Sequence, residues 1–260
     1  MDEIAERVWV ARHEYLDVNA GVVAGSRGLL VVDTLWSEPA ARELVDRLPR
    51  GLGPVVAVVN THDHWDHVLG NAVFADDGVT IHAHEDAALA VTALESRDDA
   101  RVVVPDRTLS SVAVIDLGDR AVELIHPGRG HTAGDVVVRV ADADVLFAGD
   151  LVEQGAPPAY GSDCFPLDWP AAVDLLADLI GTDTAVVPGH GAVGGKEFVG
   201  DQRAELGVVA ETIRDLAGRG VRVDDALAAA DWPYPADKLA EAVRRGYDQL
   251  PRSARQLPLI

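Results

Sequence analysis

The chain has very little cysteine. Among its 260 residues only Cys164 carries a thiol, so no disulfide can form within the chain. Chains without disulfides are typical of reducing compartments. The first ten residues, MDEIAERVWV, are acidic where a secretory signal peptide would be basic. We therefore expect a cytoplasmic protein.

Basic residues are also scarce, and only two of them are lysines, Lys196 and Lys238. The chain has 22 Lys+Arg against 43 Asp+Glu, which gives a formal net charge of −21 at pH 7. Binding to nucleic acid or to an anionic membrane depends on clustered positive charge. No apolar run reaches the roughly 20 residues that a transmembrane helix needs. We expect neither nucleic acid nor a membrane as a partner.

Apolar residues, in contrast, make up 48% of the chain, which is enough for a packed core. Short valine-rich runs predict ten strands: Val8–Val10, Gly21–Ala24, Leu29–Val32, Val55–Val59, Val79–His82, Val112–Asp116, Ala121–Ile125, Asp135–Val140, Asp144–Ala148 and Ala185–Val187. Helical spacing predicts five helices: Glu38–Leu48, Glu85–Glu95, Trp169–Ile180, 197–219 and 235–250. Some neighbouring strands are too close in the chain for a helix between them, so the sheet structure must be mixed rather than purely parallel.

The pattern becomes purely helical after Gly195. We therefore expect a catalytic domain over residues 1–196 and a helical extension, residues 197–260, packed on it. Ser37 and Asp168 are predicted as the N-caps of the helices that follow them.

Three histidines and an aspartate are concentrated in one short H-x-H-x-D-H motif, formed by His62, His64, Asp66 and His67. The motif directly follows the apolar run Val55–Val59, so it lies at the carboxyl end of a buried strand, where the sites of open α/β sheets collect. Imidazole and carboxylate groups suit zinc, iron or manganese. The alternative is a polar loop in which Asp66 caps the next helix, but a cap requires one such residue and not four.

Three more side chains able to bind a metal follow apolar runs and have glycine beside them. They are His131 in GRGHTAGD, Asp150 in LFAGD and His190 in VPGHG. Each alone could be structural, but together they repeat one arrangement. Seven candidate ligands exceed the needs of one tetrahedral ion and suit two.

In this order, the motif and the three later residues resemble the metallo-β-lactamase superfamily over roughly residues 20–195. Asp33, at the end of the run Leu29–Val32, matches the first motif of that family, where the aspartate has a supporting role. The resemblance implies an α/β (α+β) fold, a four-layer αββα sandwich, here with a short C-terminal helical annex. It also implies two Zn²⁺ at one edge of the sandwich, with iron or manganese as other metals that could bind there.

The resemblance further assigns the ligands. One metal would be held by His62, His64 and His131. The second metal would be held by Asp66, His67 and His190, and Asp150 would bridge the two.

Asp150 matches the bridging aspartate of the glyoxalase II and lactonase-like branch, whereas zinc β-lactamases lack a bridging carboxylate at that place. The resemblance thus implies hydrolysis of a small ester, thioester or lactone, by attack of a hydroxide held between the metals. Asp66 and Asp150 would be the catalytic carboxylates, and a small-molecule acyl compound would be the substrate.

Three alternative functions stay open. They are a mononuclear iron oxidoreductase resembling the thiol or persulfide dioxygenases, a zinc β-lactamase, and a non-catalytic metal-binding protein. The complete set of seven ligands favours a hydrolase over the first and the last. The loop Glu153–Pro166 is a further candidate, as a pocket wall in which Tyr160 either donates to a substrate carbonyl or packs in the core.

Overall fold

Two β-sheets lie face to face at the centre of the computed structural model, which describes residues 1–94 and 100–251. The strands are β1 (Asp2–Ala5), β2 (Val8–Arg12), β3 (Asn19–Gly25), β4 (Gly28–Val32), β5 (Val55–Val59), β6 (Thr80–His84), β7 (Arg107–Leu109), β8 (Val112–Asp116), β9 (Ala121–Ile125), β10 (Val137–Val140), β11 (Val145–Gly149) and β12 (Ala185–Pro188). The first sheet has the order β1-β2-β3-β4-β5-β6-β7, and the second has the order β12-β11-β10-β9-β8.

Helices cover the outer faces of both sheets. They are α1 (Glu38–Asp46), α2 (Trp65–Val68), α3 (Asn71–Asp76), α4 (Glu85–Val91), α5 (Trp169–Asp178), α6 (Lys196–Gly218), α7 (Val223–Ala226) and α8 (Ala240–Gln249). No helix in the described ranges is both long and apolar enough to cross a bilayer.

Both sheets are mixed, as the strand spacing predicts. In the first sheet β1 to β4 pair antiparallel and β4 to β7 pair parallel. In the second, β11 and β12 are parallel and the remaining pairs are antiparallel. The edge strands β1 and β7 escape sequence prediction because they are short and largely polar, with the sequences DEIA and RTL.

Hydrophobic clusters fill the three spaces between four layers. Between the sheets, Val59 of β5 packs in one core with Phe147 of β11 and Val187 of β12. Outside the first sheet, Leu44 of α1 and Phe74 of α3 pack in a second core with the β5 residue Val58. Neighbouring valines of β5 thus face opposite sides, because side chains alternate along a strand.

The third core lies outside the second sheet. Leu176 of α5, Leu206 of α6 and Val243 of α8 pack there against Val186 of β12. The order of layers is therefore helix, sheet, sheet, helix, and the four-layer αββα expectation is confirmed. The boundary between residues 196 and 197 stays a prediction.

The caps and helix ends differ partly from expectation. The Ser37 hydroxyl accepts from the Ala40 amide at 3.3 Å, as a cap should. Asp168 occupies the predicted N-cap position of α5, but its carboxylate accepts from the Arg129 and Gln249 side chains and makes no capping hydrogen bond to a helix amide. Helix α4 ends at Val91, and the predicted end at Glu95 lies outside the described residues.

Gly70 precedes α3 and packs directly on the chain after β4. A Cβ atom there would collide with the Thr34 carbonyl oxygen, although the backbone angle of Gly70 is ordinary. We expect Gly70→Ala to lower the free energy of unfolding by about 1–3 kcal/mol, because the packed backbone cannot yield without strain. Urea titration followed by circular dichroism measures this.

Gly200 provides the matched control. It lies within α6, and a Cβ atom added there would meet no neighbouring element of the described chain within 4 Å. Gly200→Ala should leave stability unchanged or raise it by up to about 1 kcal/mol, because alanine favours the helix. Equal urea midpoints for the two variants would contradict the packing interpretation of Gly70.

Candidate metal centre

The seven predicted ligands converge at one edge of the sandwich. His62 to His67 follow β5, Asp150 follows β11, and His190 follows β12. His131 lies in the connection from β9 to β10. The parallel strands bring the loops after their carboxyl ends to the same edge, which is why residues distant in sequence meet there.

The seven predicted ligands form two groups of donor atoms at this edge, and within each group all donor atoms lie within 4.8 Å of one another. In the first group, His64 Nδ1 lies 2.8 Å from His131 Nε2. His62 belongs to the same group, and its ring centroid is 4.8 Å from that of His131. In the second group, His190 Nε2 lies 3.3 Å from His67 Nε2 and 3.4 Å from Asp66 Oδ2.

Asp150 belongs to the first group and also contacts the second. Its Oδ2 is 3.5 Å from His131 Nε2 and 3.7 Å from His62 Nε2, both in the first group. Its Oδ1 is 3.3 Å from His67 Nε2, in the second group. One carboxylate therefore contacts both groups.

The donor atoms fit metal cations. His62 Nε2 and Asp150 Oδ1 are buried and have no hydrogen-bond partner among the described residues. A buried polar atom without a partner costs about 1–3 kcal/mol. Zinc–nitrogen bonds of 2.0–2.1 Å in a tetrahedron separate two ligand atoms by about 3.3 Å, close to the spacings observed here.

The charges at the site favour cations as well. Burial would lower the pKa of His67, but the carboxylates of Asp150, Asp33 and Asp66 raise that pKa well above its usual value. Burial, together with the positive charge of His64, lowers the pKa of His131 to about 3. The carboxylates therefore favour positive charge around His67, whereas His131 is held as a neutral imidazole, the form that binds metals.

Asp33 contacts His67 at Nδ1, the ring nitrogen that faces away from the other candidate ligands. One of its carboxylate oxygens accepts from the Thr61 amide at 2.7 Å. The other accepts from the Thr61 hydroxyl at 2.8 Å and lies 2.9 Å from His67 Nδ1. A carboxylate on the outer nitrogen of a histidine fixes the tautomer that leaves the inner nitrogen free for a metal. The supporting role that the sequence resemblance implies for Asp33 stays a prediction.

Gly189 allows the chain after β12 to pack closely against the Asp150 side chain. A Cβ atom on Gly189 would collide with Asp150 Oδ1. The glycine before His190 is thus needed for β12 to bring its ligand beside Asp150.

Two contacts at the centre escape prediction from the sequence. Asp163 Oδ2 lies 3.0 Å from His64 Nε2, on the side of the ring away from His131. The Leu16 carbonyl oxygen lies 2.8 Å from His190 Nδ1. Asp163 belongs to the loop that the sequence predicts as a pocket wall, but nothing in its spacing relates it to a histidine 99 residues away.

Tyr160 is buried in the core outside the second sheet. Its ring lies 5.0 Å from the ring of Trp169, which in turn lies 5.4 Å from that of His131. The Tyr160 hydroxyl has no hydrogen-bond partner among the described residues. Its role as a donor to substrate stays a prediction.

Comparison with known proteins agrees with the fold. The family model of the metallo-beta-lactamase superfamily matches residues 14–191. A metallo-beta-lactamase type 2 of Bacillus cereus is 28% identical over 203 residues, which cover 75% of this chain and 77% of that protein. An acyl-coenzyme A thioesterase of Gallus gallus is 31% identical over 201 residues, which cover 66% of this chain and 72% of that protein.

A solved structure is also similar. The metallo-beta-lactamase from Pontibacter korlensis superposes with a TM-score of 0.70 at 26% identity, over 79% of this chain and 97% of that structure. Because the family model spans more than half of the sequence and includes all seven candidate ligands, the chain belongs to the metallo-beta-lactamase superfamily of metal-dependent hydrolases.

Proposed function

We propose that the protein is a two-metal hydrolase of small acyl compounds, with thioesters and esters as the main substrate class and lactones included. The observation that carries the proposal is the position of Asp150, whose oxygens lie 3.3–3.7 Å from imidazole nitrogens of both donor groups. A carboxylate in contact with both groups suits two cations that share it.

The donor set favours Zn²⁺ as the native metal. Nitrogen donors from five histidines dominate both groups, and Asp66 and Asp150 add oxygen donors. Neutral imidazole is a frequent zinc ligand, whereas Ca²⁺ and Mg²⁺ prefer oxygen ligands throughout. The single cysteine, Cys164, is buried and is not in either group.

Two cations bound here would lower the pKa of a water molecule and polarise the substrate carbonyl. Side chains of this protein would orient the water molecule and transfer its proton. Asp66 keeps 12% of its side chain exposed, so its carboxylate can accept a hydrogen bond from the attacking water and orient it. The same carboxylate can hold the proton and return it to the leaving group.

Exposed apolar side chains in the segment that contacts His190 favour an acyl substrate. Leu16 is 42% exposed, and its own carbonyl contacts His190. Tyr15 is 53% exposed, and its ring lies 4.8 Å from that of Trp36. These side chains could bind the hydrocarbon part of a substrate whose carbonyl lies at the metals. The thioesterase name of the Gallus gallus relative agrees with this substrate class.

The direct test is a panel of substrates given to zinc-loaded protein. We expect hydrolysis of short-chain acyl thioesters and aryl esters, loss of that activity with a chelator, and its return with added Zn²⁺. A panel in which thioesters, esters and lactones all remain intact would reject the proposal. Turnover of β-lactams alone, or thiol-dependent oxygen consumption with iron, would favour the corresponding alternative.

Asp150→Asn tests the shared carboxylate. The change keeps the shape of the side chain but removes the negative charge between the two cations, so their mutual repulsion is less well offset. We expect the zinc content to fall from two ions per chain towards one, and turnover to fall by about a hundredfold or more. Metal analysis of the purified variant and initial-rate measurements check both outcomes.

Asp144→Asn is the control, because it makes the same substitution at the other end of β11. Asn tolerates the left-handed backbone found there, with φ of 53°, and can still accept from the Thr184 hydroxyl. This variant should keep two metals and full turnover. An Asp150→Asn enzyme that also does so would refute the bridging role.

A further inference from the structure

A buried glutamine of α6 contacts the backbone that carries Asp150. Gln202 is only 4% exposed. Its Oε1 accepts from the Glu153 amide at 3.0 Å, and its Nε2 donates to the Leu151 carbonyl at 3.2 Å. Both backbone groups lie within three residues of Asp150.

These two hydrogen bonds bind backbone groups just after the end of β11, where sheet pairing has stopped. Strand β11 ends at Gly149, and Leu151 and Glu153 are buried just beyond it. Buried backbone amides and carbonyls need partners, and an amide side chain can supply a donor and an acceptor at once. The Leu151 carbonyl also accepts from the Trp169 indole at 3.0 Å, so Gln202 is one of its two donors. Neither a carboxylate nor an apolar side chain in place of Gln202 could bond to both backbone groups.

The same segment also reaches His190. The amide of Gln154, the residue after Glu153, donates to the His190 carbonyl oxygen at 2.9 Å. Residues 150–154 thus begin with Asp150 and end with a hydrogen bond to the backbone of His190. The side chains of these two candidate ligands are close, since His190 Nε2 lies 3.3 Å from Asp150 Oδ2. The contacts of Gln202 fix the middle of that stretch.

We propose that Gln202 is a positioning residue for the second metal position. It holds the backbone after β11 so that Asp150 and His190 stay in place together, although it touches neither side chain. The inference rests on the proposed two-metal function, and it gives α6 a part in building the metal centre.

A purely structural role would produce a different pattern, and Gln249 of α8 makes the comparison possible. Gln249 Oε1 accepts from the Leu167 amide at 3.0 Å, and its Nε2 donates to Asp168 Oδ2 at 3.0 Å. The hydrogen bonds of the two glutamines are therefore alike in number and length. Leu167 and Asp168 are not candidate ligands and are not adjacent to one in sequence.

The experiment compares Gln202→Met with Gln249→Met in the full-length chain. Methionine has a similar volume and lacks the amide group, so each change removes two hydrogen bonds. Three quantities are measured: the melting temperature of the metal-free protein, the zinc content, and zinc affinity by competition with a chelating dye. Wild-type protein is the reference throughout.

We expect both variants to melt at lower temperature without metal. Only Gln202→Met should weaken the affinity for the more loosely held zinc, by about 10–100-fold, the usual range for residues that orient metal ligands. Gln202→Asn keeps the amide on a shorter side chain and serves where Gln202→Met folds poorly. It should lose affinity in the same direction by a smaller factor.

The inference is overturned if the Gln202 variants keep wild-type affinity for both zinc ions, or if Gln249→Met loses as much affinity as they do. Failure of the proposed function is a separate outcome, in which wild-type protein binds fewer than two zinc ions per chain. The two failures are distinguishable because the first appears only in the variants.

Discussion

The structure depends on one buried carboxylate. Asp150 is 5% exposed and lies within 3.7 Å of nitrogens from four histidines. A charge so deeply buried is costly unless positive partners offset it. Although burial would raise its pKa, the positive charges of His67, His190 and His62 hold the pKa of Asp150 well below its usual value. Metal cations are stronger partners than imidazolium, so the centre is best satisfied when they are bound.

Much of the architecture serves to bring the partners of Asp150 to one edge. Parallel pairing of β11 with β12 places His190 beside it, and β5 of the facing sheet supplies His62 and His67. The core between the sheets fixes the position of β5 relative to β11 and β12, since Val59, Phe147 and Val187 pack together. Asp33, just after β4, contacts His67, and Gln202 of helix α6 contacts the backbone after β11. The site is therefore a property of the whole sandwich and not of one loop.

The ligands can be identified from the sequence because most of them follow a buried strand, and because the motif from His62 to His67 is dense in metal-binding side chains. The four-layer order follows from the family resemblance and not from periodicity. Asp163 and Gln202 cannot be found in the same way, since both act across tertiary contacts that no spacing encodes. Asp168 is found at the predicted N-cap position, but its side chain makes no capping hydrogen bond because Arg129 and Gln249 bind its carboxylate.

The most direct test of the shared carboxylate is X-ray diffraction at the zinc absorption edge from crystals of zinc-loaded protein. We expect two anomalous peaks per chain at the same edge of the sandwich. One should contact His62, His64 and His131, the other should contact Asp66, His67 and His190, and both should contact Asp150. A single peak, or two peaks of which only one contacts Asp150, would contradict a centre built around that carboxylate.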